Sequence, residues 1–431
     1  MRRAAPWLAA LLGLGAVLAV FWPGYLSWDS AWQWWQARTG ELDPAHPPVM
    51  VRIWQLSRLV LPDPGGMLLL QASLWWAAMA AFAQALGGGA WRRAGTVVFI
   101  GAWPPLLALL PHLWKDLWMM GGFALAVALL AAELRTPRRS LRIAAVLVLG
   151  AGVAFRLNAL PAALPLLAWV AWRQWSGPTW RVLAMTAYMA IVVQGVSWIA
   201  NAAPGTRATP VWPVVAMWDI AAVSIAEDQL LFPPDWVEPG LTVADLRRDF
   251  SPYVNVPSFA SGQLRLPPYR EFTPEQLAAL REAWLALPMQ HPRAYFAHRI
   301  EVAAYLVGLR QEAHPDYLVL QPTVVPLRDN PALAPPSGAL HGWLQPALDA
   351  AVDTPLFAAW PCLLASLGLV VFAAWRRAAG DGLVAATAAS AWALALPLFL
   401  LAPSSDFRYL GWCVMATLMA AALAVRKNGN L

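Results

Sequence analysis

The fold class expected from the sequence is an all-α polytopic membrane protein, and composition and run length carry that reading. Hydrophobic residues make up 59% of the 431 positions and charged residues only 13%, where soluble domains carry about 25% charged residues. Mean hydropathy is +0.51, and several apolar runs approach or exceed the ~20 residues that cross a bilayer as a helix. A cytosolic enzyme, a disordered chain and a nucleic-acid-binding protein are excluded, despite the net charge of +6. The two cysteines, Cys362 and Cys413, both lie inside apolar runs. They supply neither a disulfide framework nor a cysteine metal site.

Ten spans are expected, at 6–23, 67–86, 95–111, 117–133, 143–155, 157–172, 182–200, 355–374, 383–402 and 409–424. The fifth and sixth are short for a full crossing and fit a tight hairpin that only partly penetrates. The first has Arg2 and Arg3 before an apolar core, as a signal peptide does. It runs straight into Phe21-Trp22-Pro23-Gly24-Tyr25 with no small-residue cleavage site, so it is read as an anchor.

Arginine counting gives the expected orientation. With the N-terminus cytoplasmic, alternate loops carry Arg92 and Arg93, then Arg135, Arg138, Arg139 and Arg142, then Arg173 and Arg181, then Arg376 and Arg377, then Arg426 and Lys427. With Arg2 and Arg3 the inner side holds 14 basic residues against two acids, Glu133 and Asp381, and the outer side holds 16 basic and 22 acidic residues. The sides are thus +12 and −6. The basic balance is a topology signal, not a sign of a nucleic-acid partner. Both termini are expected inside. Heavy use of Ala, Arg, Pro and Trp, with Lys115 and Lys427 the only lysines, fits a GC-rich bacterial genome and a bacterial cytoplasmic (inner) membrane.

Three regions follow: a transmembrane module over 1–200, an extracytoplasmic segment over 201–352 and C-terminal transmembrane helices over 353–431. In the middle region 273–310 reads as helical. Thr273-Pro274-Glu275 is a start signal, Leu277, Leu280, Trp284 and Leu287 follow at helical spacing, and His291-Pro292 makes a break. The proline-heavy stretches 204–213, 232–239 and 321–337 read as irregular.

This topology gathers polar residues on one surface. The first outer loop holds Asp29, in Trp28-Asp29-Ser30, and His46, in His46-Pro47-Pro48. The second is His112-Leu113-Trp114-Lys115-Asp116, the third is the tip Arg156-Leu157-Asn158, and the fifth is Ser404-Ser405-Asp406-Phe407-Arg408-Tyr409. Charges near membrane depth are costly and mark function or a substrate path. Each also has a plainer reading. Asp29 suits a helix cap, His46 a turn, and Lys115 with Asp116 a helix start. Arg156 suits a snorkelling tip, and Asp406 with Arg408 a surface pair.

Together the set suits one chemistry. A carboxylate just outside the bilayer can take a proton from an acceptor hydroxyl. A second carboxylate can hold the first, bind the acceptor or help bind a divalent metal through oxygen. Lys115, Arg156 and Arg408 can neutralise phosphate oxygens on a leaving group. The tryptophans beside Asp29 and Asp116 can stack on a sugar ring. An anionic, lipid-borne donor and a polar acceptor would meet at the outer leaflet.

On these residues the chain resembles the GT-C superfamily of polytopic glycosyltransferases: Trp28-Asp29-Ser30 in the first outer loop, Lys115-Asp116 in the next, His46-Pro47-Pro48, the Arg408-Tyr409 pair and a large outer segment before the final spans. The resemblance implies a polyprenyl-phosphate sugar donor, an envelope glycan, lipid or protein as acceptor, and membrane lipids around the chain. It implies that Asp29 is the base of an inverting transfer and that Asp116 sits across the same cavity. Lys115, Arg156 or Arg408 would hold the phosphate, with His46, His112, Asn158, Asp406 and Tyr409 lining the substrate site. The first loop carries one acid where many relatives carry paired acids, which leaves metal dependence, and hence any cofactor, unknown. No Asp-x-Asp pair occurs in the chain, which argues against a nucleotide-sugar donor. Two alternatives stay open. One is a lipid-diphosphate glycan ligase or polymerase, for which Arg293 and Arg299 would suit the diphosphate unless they form a solvated helix face. The other is a non-enzymatic lipid-linked glycan transporter or flippase, although the spans hold almost no charge at mid-depth and show no repeat.

Overall fold

The computed structural model describes residues 4–43, 46–156, 158–175, 178–203, 210–256, 272–311, 314–378 and 380–425. Arg2, Arg3, Arg426 and Lys427, four of the cations behind the expected orientation, lie outside these residues. So does 204–209 of the stretch expected to be irregular.

The first part of the chain forms α1 (Ala5–Phe21), α2 (Trp28–Thr39), α3 (Pro48–Ser57), α4 (Gly65–Leu86), α5 (Ala90–Gly101), α6 (Pro104–Leu109), α7 (Lys115–Arg135), α8 (Arg139–Phe155), α9 (Leu160–Gln174) and α10 (Thr179–Asn201). The intervening region forms α11 (Trp212–Ala226), α12 (Val243–Asp249), α13 (Pro274–Gln290), α14 (Pro292–Leu306) and α15 (Ala339–Asp349). The chain closes with α16 (Trp360–Arg376), α17 (Asp381–Leu401) and α18 (Gly411–Ala424), the last preceded by the 3₁₀ turn Phe407–Leu410. Five of these stretches are long and apolar enough to cross a membrane: α4, α7, α10, α17 and Phe407–Ala424. The chain is an all-α, multi-spanning membrane protein with a large helical region outside the spans.

Five of the ten expected spans reach that length and apolarity as single helices, and the other five are shorter or broken, for identifiable reasons. The run 95–111 breaks in two, because Pro104 and Pro105 lack the N–H a continuing helix needs and disfavour helical backbone before them. Helices α8 and α9 have 17 and 15 residues, at and below the lower end of the roughly 17–25 residues that a crossing takes. Helices α1 and α16 are apolar but likewise only 17 residues long.

Helix α7 packs between α4 and α8, and α17 packs against α9, α16 and α18. In lipid, helices associate through close packing of small residues. Between α7 and α8, a Cβ on Gly122 would meet the Cα of Gly152 at 3.4 Å. At the end of the bundle away from Asp29, Glu133 is buried between Arg142 and Arg173, at 3.6 and 3.7 Å. There Arg376 Nε donates to Asp381 at 2.9 Å. The two acids that the sequence assigns to the arginine-rich side thus pair with arginines of that side.

The intervening region has its own core, in which α11 packs against α13 and α14 around Ile220, Trp236, Leu280 and Leu287. The helix expected over 273–310 is α13 followed by α14, with a capping box at Thr273 and Gln276. Asp219 of α11 is fully buried here. Trp284 Nε1 donates to it at 2.7 Å, and His298 and Arg299 approach it at 3.2 and 2.5 Å. Arg299 also donates to the carbonyl of Ala402 at 2.9 Å. It is neither a solvated residue nor a free diphosphate ligand, because Asp219 and Ala402 take its guanidinium to join the region to the end of α17. Arg293 is exposed.

Candidate functional site

The backbone gathers the site before any side chain does. Gly24, at φ +100°, turns the chain out of α1, and a Cβ there would stand 3.1 Å from the carbonyl of Pro111. The next residues act as a short strand between two partners. Tyr25 N–H donates to Pro111 at 2.9 Å and Leu113 N–H to Tyr25 at 3.2 Å. On the other side Leu26 N–H donates to Thr323 at 2.9 Å and Val325 N–H to Leu26 at 2.8 Å. Two loops and the intervening region are thereby laced together, and side chains lock the register. Ser30 Oγ donates to the carbonyl of Leu113, and Trp114 Nε1 donates to Ser27 Oγ, both at 2.8 Å.

Helix α2 leaves this junction with Asp29 in its first turn, where the helix dipole favours a carboxylate. The cap position is Ser27 and the Asp29 side chain forms no cap, so its carboxylate is left for tertiary partners. The far face of α2 is clamped by the 321–337 loop. Arg328 lies over the rings of Trp32 and Trp35 at 4.3 and 4.0 Å. Trp35 Nε1 donates to Asp329, and Asn330 donates to the carbonyl of Ala31, both at 2.8 Å.

The charges form a chain of contacts. Arg408 donates to Asp29 Oδ2 at 3.1 Å and stands 3.9 Å from Asp406. Its guanidinium lies over Trp114 at 4.6 Å and over Tyr409 at 5.4 Å. Arg156 lies over Tyr409 at 4.6 Å, donates to Asn158 at 2.9 Å and is ion-paired with Asp116. The route Asp116–Arg156–Tyr409–Arg408–Asp29 thus joins four separated segments. Lys115 lies within electrostatic reach of Asp29, Arg408 and Arg156, and among the described residues it makes no ion pair.

Exposure divides the set. The Asp29 side chain is 30% exposed, while Asp116 is 0% and Arg156 6% exposed. Asp116 therefore does not face Asp29 across an open cavity. It is the internal counter-charge that fixes Arg156, which is itself a buried residue and not a snorkelling tip. Asp406 and Arg408 are likewise buried, at 6% and 9%, so they are no surface pair. Ser404 donates its hydroxyl to Asp406, and His314 holds Ser405 Oγ at 2.9 Å. Burial raises the Asp29 pKa, but Arg408 first and then Lys115 outweigh it and hold this carboxyl below the usual carboxylate range. Asp29 is ionised at every physiological pH.

The histidines take different places. His112 is stacked on Trp114 at 4.3 Å, with Nδ1 3.2 Å from the carbonyl of Leu109 and Nε2 accepting from Gln321 N–H at 3.0 Å. Both ring nitrogens are engaged by backbone, which makes it a fastening between the second loop and the intervening region. Burial pushes its pKa down to about 3. His46 is pushed down to about 4, by burial first and then by Lys115. Both rings are neutral when folded and bind protons more readily once unfolded. Stability should be full above about pH 6.5 and fall toward pH 4, by about 1.4 kcal/mol per pH unit for each ring. Thermal unfolding in detergent across that window checks this, and His112→Asn should remove about half of the slope.

Trp114 lies beneath Arg408 and is buried, whereas Trp28 is 58% exposed beside Asp29. Among the described residues no three His, Cys, Asp or Glu side chains gather as a metal-binding group. Asp29, Asp116 and Asp406 each face an arginine, an arrangement that does not fit a divalent cation. Sequence reasoning missed Gln33, which is 1% exposed one turn beyond Asp29, and His314, and it placed Ser404 in the fifth outer loop without giving it a role. The i, i+4 spacing from Asp29 was the available signal for Gln33. Nothing in the sequence marks His314. No family model, curated protein or solved structure matches the chain.

Proposed function

We propose that the chain is a membrane glycosyltransferase of the GT-C kind. In this reading it moves a sugar from a polyprenyl-phosphate donor to an envelope glycan, lipid or protein on the outer side of a bacterial cytoplasmic membrane. One observation carries the reading: the partly exposed carboxylate of Asp29 stands 3.1 Å from Arg408, with Lys115 beside it in no ion pair among the described residues.

The reaction asks for that pairing. An acceptor hydroxyl gives its proton to Asp29 as its oxygen bonds to the anomeric carbon. The bond from that carbon to the phosphate oxygen breaks, and its electron pair leaves with the polyprenyl phosphate. A single in-line displacement inverts the anomeric carbon. Arg408 and Lys115 would take the phosphate charge. In the resting site Arg408 makes Asp29 a weak base. Once phosphate oxygens draw the guanidinium, the carboxylate loses that compensation and its basicity rises. Arg156, fixed by Asp116, would position the Tyr409 ring on which Arg408 rests. Within this charge cluster, and among the described residues, Lys115 alone has no ion pair, which matches the one negative charge of a phosphodiester donor. A diphosphate asks for more, and Arg299 is already engaged by Asp219.

Purified chain in proteoliposomes with a labelled polyprenyl-phosphate hexose tests the reading. Lys115→Ala should raise the donor KM about tenfold or more, as the loss of one charge-assisted hydrogen bond does, with a smaller change in thermal stability. An unchanged donor KM would remove Lys115 from the phosphate site.

A further inference from the structure

One face of α2 carries polar groups that the charge chain does not use. Asp29, Gln33 and Gln36 follow at i, i+4 and i+7 and so share a face of the helix. Gln33 and Gln36 are 1% and 0% exposed, yet the amide nitrogen of each has no hydrogen-bond partner. The Nδ1 atom of His46 is buried and partnerless as well. His46 is tied to this row through Asp43. Gln36 Oε1 accepts from Asp43 N–H at 2.9 Å, Asp43 O accepts from His46 N–H at 3.2 Å, and His46 is electrostatically coupled to Asp29. Buried polar atoms are rarely left unpartnered in a folded protein, so two such amides on the helix face that carries Asp29, with His46 near it, point to a ligand.

The chemistry of the row selects that ligand. Two neutral amide donors, one imidazole nitrogen and one carboxylate suit neighbouring hydroxyl groups, each of which both donates and accepts. An apolar chain would leave the donors unpaired, and an anion would find its charged partners at Lys115 and Arg408. We propose that Gln33 and Gln36, with His46, form a sugar-hydroxyl subsite that holds the acceptor with one hydroxyl against Asp29. This rests on the transfer reading above and adds to it where the acceptor lies.

The test uses the full chain in detergent and two kinds of probe. Methyl glycosides are followed by saturation-transfer NMR, and labelled polyprenyl phosphate by equilibrium binding. Gln33→Leu, and separately Gln36→Leu, should weaken glycoside binding about tenfold or more and leave polyprenyl phosphate binding unchanged, which also reports that the fold is intact. Repeating the glycoside titration with saturating polyprenyl-phosphate hexose should leave glycoside affinity unaltered. Competition would give the row to the donor's own sugar and overturn the acceptor assignment. A wild-type chain that binds no glycoside, or variants that bind as wild type does, overturn the subsite. Glycoside binding without any polyprenyl phosphate binding leaves the subsite standing and removes the transfer reading.

Discussion

Asp29→Asn is expected to lower transfer by about 10²–10⁴-fold, the range a general base contributes, while the protein stays folded in the membrane. The change keeps size and shape and removes only the charge and the proton acceptor. The asparagine oxygen can still accept from Arg408, now 3.1 Å away, so the local geometry survives. Its amide cannot take a proton from a hydroxyl. The two rates are compared in proteoliposomes, with thermal unfolding as the control. Full activity in a folded Asp29→Asn protein would take Asp29 out of the base role while leaving the transfer reading in place; no transfer by the wild-type chain would bring the transporter reading forward.

The second large effect is on stability. Asp116→Ala leaves Arg156 as a guanidinium only 6% exposed with its carboxylate removed. Breaking one side of a buried ion pair costs about 3–5 kcal/mol, a large fraction of the stability of a typical fold. Unfolding in detergent should show that loss. Arg156→Met added to Asp116→Leu should restore much of it, since two apolar side chains leave no buried charge. An Asp116→Ala protein as stable as wild type would show that Arg156 does not depend on Asp116.

What the sequence makes legible here follows from topology. Alternation of the spans assigns Asp29, Lys115, Arg156 and Arg408 to one surface, and the structure brings them into one cluster, because loops at one end of a bundle must lie close together. Pairing is another matter. Asp116 and Arg156 are 40 positions apart, and nothing local states that they close on each other and leave Asp29 partly open. Arg299 reads as a solvated residue from helical spacing, but its counter-charge Asp219 sits on α11. That helix is easily missed, since prolines precede it and its apolar run is short. Gln33 is hidden for a different reason: an uncharged amide among tryptophans carries only its i, i+4 spacing from Asp29 as a signal until its burial and lack of a partner are visible. The break at Pro104-Pro105 was readable from residue chemistry, but hydropathy averaged over a span-length window passes over it.

The most direct measurement is mass spectrometry of envelope glycans and lipids from a deletion strain carrying the wild-type gene, the Asp29→Asn gene or neither. One sugar mass is expected to vanish in the deletion, return with wild type and stay absent with Asp29→Asn, and the missing mass names the sugar. Restoration by Asp29→Asn to the wild-type level, or an unchanged glycan and lipid profile in the deletion, would contradict it.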